Sequence, residues 1–252
     1  MIKKSIHIMA VVVALVSASF AQSSSPSAGP AAPANAVVYA NLEKTNNWSK
    51  CSAANCSGGN PAGSYYAAPN QTTPSLDGSS TMFNISGGSY SDDLFSATAG
   101  VNPNASHYIL DWNVYTDSNT YNLAQALEFD FIQVSGGLKF NFSSECNYAV
   151  GTWDTWNEVT QSWVHSNIAC TKFAPNTWHH LRWYYERVGT QTHYISLTID
   201  GVTYPVANQV ALQPAPATNW ANGALAFQVQ QDLNSSGGSF TEWVDKATLY
   251  AW

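Results

Sequence analysis

Two carboxylates and an amide stand close together in Glu128-Phe129-Asp130-Phe131-Ile132-Gln133. On an extended strand side chains alternate, so Leu127, Phe129 and Phe131 point to one side while Glu128 and Asp130 point to the other. Two residues of strand cover about 7 Å, which puts both carboxyls on one face at that spacing. The phenylalanines belong to a core. The acids must then face solvent, a cleft, or partners that compensate their charge. Paired carboxylates of this kind can move protons at a ligand or hold one by hydrogen bonds. The plainer alternative is a solvated sheet face whose acids pair with neighbouring bases and hydroxyls.

A second set lies in residues 178–187. Alternation places His179, Leu181, Trp183 and Tyr185 on a core face and Trp178, His180, Arg182, Tyr184 and Glu186 on the other. If this strand shares a sheet with Glu128 and Asp130, one surface gathers acids, Arg, His and Tyr. Such a surface can hydrogen-bond sugar hydroxyls while a ring covers the apolar face of a sugar. A third set is Trp153-Asp154-Thr155-Trp156, with Trp163 shortly after. Trp153 and Trp156 have an odd separation and face opposite sides of a straight strand, so at most one is a sugar platform and the other is packing.

The elements that must carry these residues are strands. Charged residues make up 10% of the chain and aromatic ones 13%, a balance poor for long amphipathic helices and good for sheets. Strand patterns are expected at residues 107–115, 124–134, 138–142, 178–187, 193–199, 202–206, 224–230 and 240–252. Ser135-Gly136-Gly137 and Asp200-Gly201 supply tight turns. Residues 45–105, dense in Asn, Ser, Gly and Pro, read as loop-rich with short strands. Strands at this spacing without helical stretches between them predict an all-β, two-sheet antiparallel sandwich.

Residues 1–21 read as a signal peptide: Lys3 and Lys4, a short apolar run, and Ser19-Phe20-Ala21 at the cleavage site. Residues 22–36, rich in Ser, Pro and Ala, read as a tether, and residues 37–252 as one domain. The expected location is secreted or periplasmic. Loss of the leader takes two of the 9 bases and none of the 16 acids, leaving a net charge of about −9. That balance disfavours nucleic acid and anionic membrane surfaces as partners, and no stretch of the mature chain is apolar enough for membrane insertion. Four cysteines in an exported chain read as disulfides, and spacing favours Cys51 with Cys56 and Cys146 with Cys170. The second bridge would brace the tryptophan cluster between its ends. The spacing lacks the second pair that a zinc site needs. No Gly-x-Ser-x-Gly elbow or His-Glu-x-x-His pair is present.

Asn176-Thr177-Trp178-His179-His180-Leu181, followed by Ile195-Ser196-Leu197-Thr198-Ile199-Asp200-Gly201, resembles the paired strands of laminin-G and other concanavalin A-like domains. Ala126-Leu127-Glu128-Phe129-Asp130 resembles the Glu-x-Asp strand of legume lectins and family-sixteen glycoside hydrolases. The resemblance covers about residues 107–252 and implies a jelly-roll sandwich. In those hydrolases the pattern is Glu-x-Asp-x-x-Glu, with a bulge returning the last Glu to the face of the first. Here the third position is Gln133, and an amide cannot donate and recover a proton. In the lectins the Glu and Asp hold manganese and calcium with further ligands downstream. Residues 135–140 offer none of these ligands, so no metal or cofactor is expected, with a structural calcium left open.

The expected function is therefore a non-catalytic, lectin-like carbohydrate-binding or surface-recognition domain whose partner is a polysaccharide or glycan. The ligand contacts expected are Glu128, Asp130, Trp153, Trp156, Trp178, His180, Arg182 and Tyr184. One alternative is a glycoside hydrolase with a displaced acid/base from Glu145, Glu158, Glu186 or Glu242. Another is a structural envelope protein, in which Glu128 and Asp130 are sealed under loops with no groove.

Overall fold

The computed structural model describes residues 29–52, 56, 58–207, 210–212 and 219–252. The leader expected at residues 1–21 and the first part of the tether, residues 22–28, lie outside the described residues. Two sheets stack face to face. The first runs from edge to edge as Val202–Pro205, Gln191–Ile199, Trp178–Val188, His107–Thr116, Gly238–Ala251, Ser80–Gly87 and Ser64–Gln71. Val37–Tyr39 pairs with Gly238–Ala251, and Val210–Leu212 with Gln191–Ile199. The second runs Ser162–Ala169, Thr152–Asn157, Leu138–Asn147, Ala124–Ser135, Ala224–Leu233, Ser91–Val101 and Ser49–Ser52. Pairing is antiparallel except where Asn60–Pro61 lies parallel to Ser91–Val101. The chain is an antiparallel β-sandwich.

The period-two patterns explain how the layers meet. Leu127, Phe129 and Phe131 point inward from the second sheet, and Leu110, Trp112 and Val114 from the first; all are fully buried. Rings meet across the gap: Trp112 lies 5.1 Å from Phe129 and Tyr108 4.7 Å from Phe131. Burying side chains of this size contributes about 1.5–3 kcal/mol each. A continuous aromatic core of this kind fixes the register of both sheets, because a one-residue slip would turn every ring to solvent.

The stretch expected to be loop-rich is instead strongly stranded. Ser64–Gln71 and Ser80–Gly87 are eight residues each and Ser91–Val101 is eleven. Its inward positions hold Phe83, Ile85, Phe95 and Ala97, all buried, so few apolar residues suffice when each is placed on the inner face. Pairing with Gly238–Ala251 and Ala224–Leu233 overrides the turn-like composition.

Two disulfides are formed, Cys51–Cys56 and Cys146–Cys170. The second joins the Leu138–Asn147 strand to the chain just after Ser162–Ala169, tying down the hairpin between. Among the described residues no helix is long and apolar enough to cross a membrane.

Candidate functional site

Glu128 and Asp130 sit near the middle of the second sheet, on its outer face. Cross-strand register builds that face in rows. Glu128 lies between Glu145 and Gln230, and Asp130 between Ser143 and Gln228. Asp154 extends the first row beyond Glu145. Residues opposite one another in a sheet project to the same side, so the strand pairing alone gathers these groups.

They floor a groove of about 400 Å³ whose side is formed by Trp156 and Trp163, ring centroids 5.2 Å apart in an edge-on arrangement. An adjoining hollow of about 260 Å³ shares Trp163 and Gln230 and reaches Glu145, Asp232 and Asp92. Glu158 lies on the rim, where it accepts hydrogen bonds from Asn141 (3.2 Å) and Gln161 (2.8 Å). Lys139 is the one basic side chain lining either hollow among the described residues.

The floor is acidic and short of donors. Glu145 accepts from Asn147 at 2.9 Å, and Gln230 donates to Asp232 at 3.0 Å. Glu128 Oε2, Asp130 Oδ1 and Asp232 Oδ2 are buried without a hydrogen-bond partner. Burial pushes the Glu145 carboxyl up to about 9, with the neighbouring Asp232 and Asp154 charges adding to the shift. Burial likewise raises Asp232, helped by Asp92. Glu128 and Asp130 stand side by side on this face and both are raised, first by burial, with the Asp130 charge adding to the shift of Glu128, so the pair holds a proton that isolated carboxylates would have lost. Deeper in the row, Asp154 is fixed by Thr152 at 2.6 Å and by His165 at 2.9 Å.

Gln133 has the orientation that an unbulged strand requires. Pairing is unbroken from Ala126 to Ser135, and Gln133 turns inward, fully buried, donating to the Ala105 carbonyl at 3.0 Å. It takes no part in the groove. The four displaced carboxyls separate clearly. Glu242 points into the core, and Glu186 lies on the first sheet 3.9 Å from His193. Glu158 stands at the rim and Glu145 directly opposite Glu128.

The two tryptophans of the Thr152–Asn157 strand divide. Trp153 is buried against Trp183 at 6.3 Å, whereas Trp156 lines the groove. Trp153 is therefore packing, which corrects its inclusion among the ligand contacts.

Trp178, His180, Arg182 and Tyr184 do not join this face. Their strand pairs with His107–Thr116 in the first sheet, so the whole aromatic core separates them from Glu128 and Asp130. The expectation of one combined surface is overturned, because alternation tells which side of a strand a residue occupies and not which sheet holds the strand. On that far face Asp111 is bound by Arg182 (2.9 Å) and His180 (2.8 Å). Arg182 also donates to the Pro30 carbonyl at 2.8 Å, so the chain leading into the domain crosses this surface. Trp178 packs on Tyr115 at 5.4 Å, and Tyr184 on Trp252 at 5.9 Å.

Sequence reasoning missed Gln228 and Gln230, which line the groove beside Glu128, and Asp232, which lines the adjoining hollow. Their signal was present in the alternation of Gln228, Gln230 and Asp232 with the buried Phe227 and Val229. Ser143 and Asn141 were likewise placed by pairing rather than by any motif.

No protein-family model matches the chain, and no curated protein matches it in sequence. Solved structures with a similar fold include the endo-β-1,4-glucuronan lyase of the fungus Trichoderma reesei. It is 8% identical, with 81% of this chain and 94% of that one covered and a TM-score of 0.49. The carbohydrate recognition domain of Emp46p in its metal-free form is 8% identical over 85% of this chain and 95% of its own, with a TM-score of 0.45. A structure of carbohydrate-binding modules from the β-sandwich superfamily is 9% identical over 79% of this chain, with a TM-score of 0.42, and this chain spans 55% of its length. At these identities the likeness is one of architecture.

Proposed function

We propose that the chain is an exported, non-catalytic carbohydrate-binding domain that seats a glycan in the groove over Glu128 and Asp130. The observation that carries this reading is a sheet-floored groove combining amides and carboxyls with a side built from Trp156 and Trp163. Amides and carboxyls satisfy sugar hydroxyls, and indole faces cover the apolar C–H patches of pyranose rings. With protonated carboxyls and amides as donors and acceptors and Lys139 as the one base among the described lining residues, the groove offers little net charge to attract uronate or sulfated chains and suits neutral polysaccharides. Export follows from the leader pattern at residues 1–21, with cleavage after Ala21, and accords with the two disulfides. The groove argues against the envelope-protein alternative, which requires those acids to be sealed.

Affinity electrophoresis through gels containing neutral or acidic polysaccharides tests the reading. Retardation by at least one neutral glycan is expected, and Trp156→Ala should weaken it roughly tenfold, the equivalent of about 1.4 kcal/mol. Unretarded migration in every neutral glycan, or equal retardation of wild type and variant, would sink it.

One observation favours a hydrolytic second reading. Carboxyl oxygens of Glu128, Glu145 and Asp232 lie within 4.8 Å of one another, close to the separation of about 5–5.5 Å used by retaining glycosidases. Glu145, held protonated by burial, has the character of a general acid. Release of new reducing ends from a neutral glycan, abolished by Glu145→Gln with binding retained, would establish it in place of simple binding.

A further inference from the structure

We propose that Glu128, Glu145 and Asp232 form a divalent-cation site of the calcium class in the floor of the groove. Each residue presents one carboxyl oxygen, and the three oxygens lie within 4.8 Å of one another. An ion about 2.4 Å from each of its ligands can bridge oxygens up to about twice that distance apart. The three side chains stand on three successive strands, Leu138–Asn147, Ala124–Ser135 and Ala224–Leu233. Their spacing is therefore set by sheet pairing rather than by a loop.

Proximity of acids is insufficient, and a second triad shows why. Glu43, Asp77 and Asp245 are equally close together. There, both Glu43 oxygens accept backbone N–H groups, from Lys246 at 3.1 Å and Ala247 at 2.9 Å. Asp245 accepts from Ser75 at 2.8 Å, and Asp77 is paired with Lys44 at 2.8 Å. That triad has its donors already.

The groove triad is only partly supplied: Asn147 donates to one Glu145 oxygen and Gln230 to one Asp232 oxygen. Glu128 is 5% exposed, and its Oε2 has no partner; Asp232 Oδ2 has none either. Buried carboxylate oxygens normally find a donor or a metal, and no base stands among these three. An all-oxygen set suits a hard cation, and three carboxylates on one side leave the groove side of the shell to water or to the hydroxyls of a ligand. Calcium tolerates that lopsided shell better than magnesium, which demands a regular octahedron. The site does not depend on the groove holding a sugar.

Calorimetric titration of chelator-treated protein with calcium chloride alone, without any glycan, tests the site. One binding event is expected, together with a rise in melting temperature on adding calcium. Glu145→Gln should weaken calcium binding at least tenfold and flatten the thermal response, while Asp77→Asn in the satisfied triad leaves both as in wild type. If Glu145→Gln does not fold, Asp232→Asn takes its place. No heat and no thermal shift up to about 10 mM calcium, well above the range of weak extracellular sites, would overturn the proposal. So would a response that survives both groove substitutions. Because sugar is absent throughout, failure here is read separately from failure of glycan binding.

Discussion

The two outer faces of the sandwich handle acidic residues in opposite ways. On the first sheet, Asp111 is clamped between Arg182 at 2.9 Å and His180 at 2.8 Å. On the second, Glu128, Asp130, Glu145 and Asp232 crowd the floor of the groove and its adjoining hollow, where Lys139 is the single basic lining residue among the described residues. Both faces are built by the same period-two rule, so the backbone does not account for the contrast. What differs is whether the opposing strand supplies a counter-charge. A face with paired charges closes on itself, whereas a face of unpaired, buried acids is costly to keep and is the usual mark of a site.

The largest consequence is in the pH dependence of stability. Glu145 holds its proton in the folded chain up to about 9, against an ordinary value of 4.5. The unfolded chain loses that proton first. The stabilisation is thus complete below about 4.5 and is lost as pH rises through the folded value. Glu128, Asp130 and Asp232 are raised in the same direction. In the presence of chelator, unfolding free energy should fall between pH 5 and 9 by an amount on the order of several kcal/mol. Glu145→Gln should flatten the curve. Denaturant melts across that range check it, and a stability that rises with pH would remove the contrast between the faces.

A smaller effect comes from exchanging single acids for amides. Asp111→Asn weakens two charge-assisted contacts and leaves the half-buried Arg182 without its counter-ion. A loss of about 1.5–3 kcal/mol is expected. Asp130→Asn removes a buried charge that no base contacts and that Lys139 offsets only weakly from a distance, and at pH 8 it should leave stability unchanged or raised. Opposite signs for these two substitutions, measured in the same denaturant series, sharpen the comparison; equal losses would break it.

Most of the strands were legible in the sequence because apolar alternation is a local signal. Leu127, Phe129 and Phe131 announce their strand, as do Leu181, Trp183 and Tyr185. The inward turn of Gln133 followed from parity alone. Parity also separated Trp153 from Trp156, although it could not say which was inside, since that depends on the side from which the second layer approaches. The groove was only half legible. Glu128 and Asp130 stood out, but Gln230 and Asp232 come from a strand about 100 residues later and reach Glu128 only through long-range pairing. The same limit explains the misplaced Trp178–Val188 strand: no local pattern records which sheet it enters. Ser80–Gly87 and Ser91–Val101 were hidden because most of their outward residues are small or polar, as in turns, while a few inward apolar residues hold the register.

The smallest predicted effect isolates the paired face. The hydrogen bond that His180 donates to Asp111 raises the imidazole above its ordinary 6.5, against the opposing effect of burial. Its charged form is the one that the pair favours, so this contribution is fully present below 6.5 and fades as pH rises through the raised value. Around His180 stand Asp111, Arg182 and Asp200, and of these the Asp111 contact is the largest influence. In Asp111→Asn the imidazole of His180 should therefore titrate lower than in wild type. Nuclear magnetic resonance titration of the histidine side chains reads this midpoint directly. A His180 midpoint that ignores the loss of Asp111 would mean that its face is not organised by that carboxylate, and the distinction between a closed, paired surface and an open, acidic groove would rest on the groove alone.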